Sequence, residues 1–80
     1  MERLSPLVKT AAMLAIGEIG IIEGVANSEL SSKLVQMGFL PGKKIVILRT
    51  TFTGTPLYAQ LGEQYIALRR EEAALLIIRQ

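Results

Sequence analysis

The chain has 80 residues, enough for one domain, and a domain of this size buries only about 60% of the surface its unfolded chain exposes. Half of the residues are hydrophobic but only 5% are aromatic, so a core has to be assembled from Ile, Leu, Val and Ala. Cysteine and histidine are absent and the net charge is +2, which excludes a disulfide framework, argues against a zinc or iron–sulfur site, and leaves no Cys nucleophile or Ser–His pair. The positive excess is mild, well short of the dense basic face of a duplex binder.

Met1 to Thr10 commits to little. Ser5-Pro6 favours a turn or the start of a short helix, with Leu4, Leu7 and Val8 as a small apolar face. Residues 1–11 read as an N-terminal extension and residues 12–80 as the domain. Ala11 to Ile22 is the longest apolar stretch, but Glu18 breaks it and it falls short of the roughly 20 residues that span a bilayer. Lys9 followed by Ala11–Ile16 makes a poor signal peptide, because the run is short and Gly-Glu-Ile-Gly is a poor cleavage site.

A first strand is expected from Glu18 to Ala26, with Ile19 and Ile21 on one side and Gly20, Ile22 and Gly24 on the other. Glycines inside such a pattern mark bends or close backbone approach, as at the corner of a small barrel. Asn27-Ser28 offers a helix N-cap, and Glu29 complements the helix dipole. Leu30, Leu34 and Met37 then line one face of a short helix. Gly38 ends it with a left-handed cap, and Pro41-Gly42 has the chemistry of a type II turn.

Lys43 to Phe52 reads as a strand that is apolar on both faces from Ile45 to Leu48, hence central and covered on each side. Thr53-Gly54-Thr55-Pro56 is a loop. Leu57, Ala59 and Leu61 alternate with Tyr58 and Gln60, the half-buried strand pattern. Gly62-Glu63 suits a type II′ hairpin turn, and Gln64 to Arg69 returns. Arg70-Glu71-Glu72-Ala73 looks like a single helical turn, and Leu75 to Ile78 is a last apolar strand. A sheet this apolar would leave sticky edges, and closure removes most of them. The expected class is mainly β: a small SH3-like barrel of about five strands with one short α-helix at about residues 28–37.

Several of these residues together carry a family resemblance. They are Gly17, Gly20 and Val25; then Leu30, Lys33, Leu34 and the run Met-Gly-Phe-Leu-Pro-Gly from Met37 to Gly42; then Pro56 and Leu57; then Ile-Ala-Leu-Arg-Arg-Glu-Glu-Ala from Ile66 to Ala73. In this order, over roughly Ala12 to Ile78, the chain resembles the ferrous-iron transport protein A (FeoA) family. The resemblance implies an SH3-like barrel in the bacterial or archaeal cytoplasm. It also implies an accessory or regulatory role beside the membrane-embedded ferrous-iron permease, whose cytosolic end carries a GTP-binding domain. The same module occurs as the C-terminal domain of iron-dependent repressors, but 80 residues leave no room for a helix-turn-helix domain, so the free-standing form matches better.

Two readings attach to Phe39 and Leu40. Apolar residues set among polar neighbours act as interaction anchors, whereas beside a glycine cap they commonly staple the helix end to the sheet. Leu40 is the one expected at the surface. Lys43 and Lys44 could meet an acidic partner, and so could Arg69 and Arg70, although a solvated rim is the plainer reading of any one of them. Arg69 through Glu72 could also satisfy one another as exposed ion pairs. The expected contact region is therefore Met37, Phe39, Leu40, Lys43 and Lys44, with Arg69 and Arg70 as a second patch.

Glu71 and Glu72 point in different directions on a helical turn, so neither direct iron binding nor a resident cofactor is expected. No catalytic residues can be assembled. The leading function is a cytosolic docking partner of the ferrous-iron permease, without membrane insertion of its own, and the exposed barrel edges leave room for a weak homodimer. The rival is a free-standing SH3-like module for a proline-rich peptide or nucleic acid. Tyr58 and Tyr65 would line its groove, although both fit half-exposed sheet positions equally well.

Overall fold

The computed structural model describes residues 8–79, and the turn or short helix expected at Ser5-Pro6 lies outside them. Five strands form one antiparallel sheet: β1 (Ile19–Val25), β2 (Lys44–Thr50), β3 (Leu57–Leu61), β4 (Gln64–Leu68) and β5 (Leu76–Ile78). Their order across the sheet is β4-β3-β2-β1-β5. Helix α1 (Ser31–Gln36) joins β1 to β2, and the single turn α2 (Arg70–Ala73) joins β4 to β5. The mainly β, SH3-like architecture expected from the sequence is the one observed.

The strands bury one face. On β1 the inward residues are Gly20 and Ile22, while Ile19 is 60% exposed. Gly20 has no Cβ because Ile78 and Leu14 approach it closely; a methyl group there would sit 3.1 Å from a carbon of each. On β2, Ile45 and Ile47 are enclosed, but Leu48 is exposed. This corrects the expectation of a strand covered on both sides, since no second layer packs on its outer face among the described residues. β3 follows the expected alternation, with Leu57, Ala59 and Leu61 all buried.

Helix α1 starts later than its cap chemistry suggested. Ser28 Oγ accepts from Leu30 N at 3.2 Å, and Ser28 O accepts from both Ser31 N and Ser31 Oγ. Ser28 therefore closes a turn before the helix instead of capping it. The short helix would not persist alone and is held by Leu34, which is fully buried against the sheet.

The segment before β1 also joins the domain. Ala11 is fully buried, Thr10 bridges to Ile77, and Ile78 N donates to Lys9 O at 2.8 Å. Lys9 Nζ and the backbone N of Ala15 both bind the Glu18 carboxylate, at 2.7 and 2.9 Å. Residues 9 and 10 thus lie along the outer side of β5.

Candidate functional site

The hinge from α1 to β2 is built by the backbone first. Gly38 takes φ 104°. Its N–H donates to Val35 O at 3.0 Å, and Phe39 N donates to Leu34 O at 3.1 Å, the two bonds of a Schellman cap. The hydrophobic contact that accompanies such a cap is also present, because Leu34 and Phe39 are both fully buried in the core. The chain then turns at Pro41-Gly42, where Gly42 has φ 91° and Lys43 N donates to Leu40 O at 3.1 Å. This is the type II turn expected from the sequence. Gly42 N donates to Ile22 O at 2.8 Å and Ile22 N donates to Lys43 O at 2.9 Å, so the turn is bonded to β1 in both directions.

These bonds sort the expected contact residues. Phe39 is fully buried, so its place among the partner-contacting residues is corrected: it supports the loop from beneath. Met37 is half-buried and packs on the core. Leu40 is 41% exposed at the crest of the turn, and Lys43 and Lys44 follow it, both exposed. The loop lies between two grooves. One, of about 530 Å³, has an apolar floor of Val25, Val35, Phe39 and Pro41 and a polar margin from α1. The other, of about 560 Å³, is flanked by Gly42, Lys43 and Lys44 and opens onto Ile19 and Val46 of the outer sheet face. Leu40 and the two lysines therefore form a ridge with a groove on either side.

Arg69 and Arg70 do not join this ridge. Arg70 Nε and Nη2 donate to Gly54 O at 3.1 and 2.9 Å, and Nη1 donates to Ala12 O at 3.2 Å. Arg70 therefore staples α2 to the β2–β3 loop and to the segment before β1. Gly54 follows the end of β2 and Lys44 begins it. At about 3.3 Å per residue, the two patches stand on the order of 20 Å apart.

Glu72 does not belong to an exposed group of ion pairs, contrary to the expectation for Arg69 through Glu72. It is 4% exposed and accepts from Lys33 Nζ at 2.8 Å and from Arg69 N at 2.9 Å. The Lys33 ammonium, and then the Arg69 amide, hold its carboxyl below the usual carboxylate range. The pair clasps α1 to α2. Nothing local could have shown it, because the partners are 39 positions apart. Glu71 stays exposed, so the two carboxylates do not converge. Tyr58 is half-buried with Arg49 over its ring, 4.8 Å from the centroid, whereas Tyr65 is 74% exposed. The two tyrosines therefore differ as stacking surfaces.

Comparison with known proteins places this geometry. Solved structures share the fold. Iron(II) transport protein A from Clostridium thermocellum matches at 33% identity and a TM-score of 0.80, over 89% of this chain but 44% of that one. FeoA from Stenotrophomonas maltophilia, solved in complex with zinc, matches at 25% identity and a TM-score of 0.80, over 89% of both chains. That protein is described as a procaryotic SH3 domain protein and a candidate ferrous iron transport activating factor. IdeR from T. acidophilum matches at 15% identity and a TM-score of 0.74, over 95% of this chain and 36% of that one, a likeness of fold alone. A search of curated proteins gave no match. The FeoA domain family model matches residues 9–80, and the chain belongs to that family.

Proposed function

We propose that the chain is a cytosolic, non-enzymatic accessory protein of ferrous-iron uptake, which docks on the cytosolic part of the membrane ferrous-iron permease and biases its assembly or gating. The observation that carries this reading is the bonded turn that holds Leu40 outward over a buried Phe39, with Lys43 and Lys44 beside it. Because the turn is fixed before binding, little loop-ordering cost is incurred on association. The cationic neighbours favour encounter with an acidic face and add a salt-dependent on-rate. Family membership and the activating role ascribed to the S. maltophilia protein support the same reading. Arg70 contributes mainly by holding the far end of the barrel together, which leaves Arg69 as the accessible cation of the second patch.

The experiment is a titration of the labelled protein with the permease's soluble GTP-binding domain, and with the full-length permease in detergent, each in GDP and in a GTP analogue. Saturable binding that weakens on Leu40→Ala, but not on Glu71→Ala, is the expected result. Absence of binding to either form up to about 1 mM, equivalent to some 4 kcal/mol, removes docking. Salt-dependent binding to oligonucleotides, or binding to a proline-rich peptide, would then turn the assignment to the rival binding module.

A further inference from the structure

The two edges of the sheet are treated differently. The outer side of β5 is occupied by residues 9 and 10, through the Thr10–Ile77 bridge and the bond from Ile78 N to Lys9 O. The outer side of β4 has no partner strand among the described residues. Edge strands that stay unpaired are usually protected by a charge, a proline, a bulge or brevity. β4 reads Gln-Tyr-Ile-Ala-Leu over five residues, uncharged and without proline, and its register with β3 runs unbroken from Leu57–Leu68 to Leu61–Gln64.

The hairpin turn decides which backbone groups are free. Gly62 has φ 60° and no other residue of that turn has a positive φ, which makes it type II′. A two-residue turn makes Leu61 and Gln64 a hydrogen-bonded pair, and the pairs alternate from there. Gln64, Ile66 and Leu68 therefore bond to β3. Tyr65 and Ala67, both exposed, direct their N–H and C=O groups away from the sheet.

We propose that β4 pairs antiparallel with β4 of a second copy of this chain, centred on Ile66. In that register Tyr65 faces Ala67 of the second copy. These are the residues with free groups on both sides, so four backbone hydrogen bonds form without disturbing either sheet. The charges beyond the strand select this occupant and this direction. Glu63 stands at the entrance of β4 and Arg69 at its exit, both exposed, with no charge between them. Antiparallel pairing about Ile66 sets Glu63 against Arg69 of the second copy at both ends, whereas parallel pairing would set like against like. An edge-to-edge contact is small, below the roughly 1,200 Å² of the low end of specific interfaces, so the dimer is weak and concentration-dependent. This goes beyond the docking reading and does not depend on it, since the pairing engages β4 with Glu63 and Arg69 and uses none of Leu40, Lys43 or Lys44.

The test is sedimentation of the full chain from about 10 µM to about 1 mM, a range that covers weak self-association. Amide exchange by NMR is read alongside. The expected result is reversible dimerisation, with the Tyr65 and Ala67 amides gaining protection as concentration rises. Ala67→Pro removes one outward N–H per copy while leaving the bonds to β3, and should weaken the dimer at least about tenfold with the fold intact by NMR. Glu63→Arg should also weaken it, and adding Arg69→Glu should restore it with the charges reversed. A chain that stays monomeric throughout overturns the proposal. So does a dimer indifferent to Ala67→Pro, or a double charge variant as weak as Glu63→Arg alone.

Discussion

Replacing Phe39 by alanine tests whether the hinge is correctly divided into a buried support and an exposed crest. Phe39 is fully buried between the helix cap and the sheet, where truncation of a phenylalanine removes its transfer energy and leaves a cavity, at a cost of about 3–5 kcal/mol. At about 0.05–0.15 kcal/mol per residue, a chain of 80 residues has roughly 4–12 kcal/mol in all. Phe39→Ala should therefore remove a large part of the stability. At about 4–8 °C per kcal/mol, the melting midpoint should fall by some 12 °C or more. Leu40, one position on, is 41% exposed. Full burial of a leucine is worth about 1.5–3 kcal/mol and alanine retains a share, so Leu40→Ala should cost about 1 kcal/mol. Urea denaturation followed by circular dichroism, at a fixed protein concentration, measures both. A loss below about 1.5 kcal/mol for Phe39→Ala, or above about 3 kcal/mol for Leu40→Ala, would refute the division and require the contact region to be redrawn.

Two further predictions concern the same framework. Gly42→Ala adds a methyl group that meets nothing within 4 Å, so its cost is the backbone strain of φ 91°, about 1–2 kcal/mol by denaturation, with weaker docking because the crest is displaced. Glu72 is held below its ordinary value of 4.5, so the unfolded chain takes up a proton first as the pH falls. Its contribution is fully present above that value and is lost as the pH drops through the folded value. Urea midpoints measured downward from about pH 5 should fall more steeply for the native chain than for Glu72→Gln, and equal slopes would mean that the carboxylate gains nothing from its partners.

What was legible in the chain was the information carried by near neighbours. The Gly38 cap, the Pro41-Gly42 turn, the alternation from Leu57 to Leu61 and the turn at Arg70–Ala73 each depend on a few consecutive residues, and each stands where expected. The errors concern what packs on an element from elsewhere. Ile45 to Leu48 reads as covered on both faces, because apolarity alone does not tell a central strand from a one-sided one; Leu48 falls at the register shift between Ile47 and Arg49 and is exposed. Ser28 has cap chemistry, yet its oxygens close the preceding turn. The arginines at 69 and 70 look equivalent, but the Arg70 guanidinium meets carbonyls 16 and 58 positions away, and that long-range geometry makes Arg70 a staple, while Arg69 is exposed.

On the proposed docking reading, the hinge serves fold and contact through different residues. Presenting a leucine to a partner normally costs conformational freedom, about 0.5–1.5 kcal/mol for each side chain that must be ordered on binding. Here the ordering is done in advance by groups that need not touch the partner: Phe39 from below, the Schellman cap on one side and the two bonds to β1 on the other. Leu40 is then free to vary in chemistry without loss of the fold, whereas Phe39 and Gly42 are not. The same separation argues against Arg69 and Lys44 sharing one small contact, since on the order of 20 Å of β2 lies between their ends of the barrel. A partner engaging both would have to wrap the sheet. One engaging the ridge alone would be sensitive to Leu40 and the lysines and indifferent to the β4 edge, so docking and self-pairing can be separated by substitution.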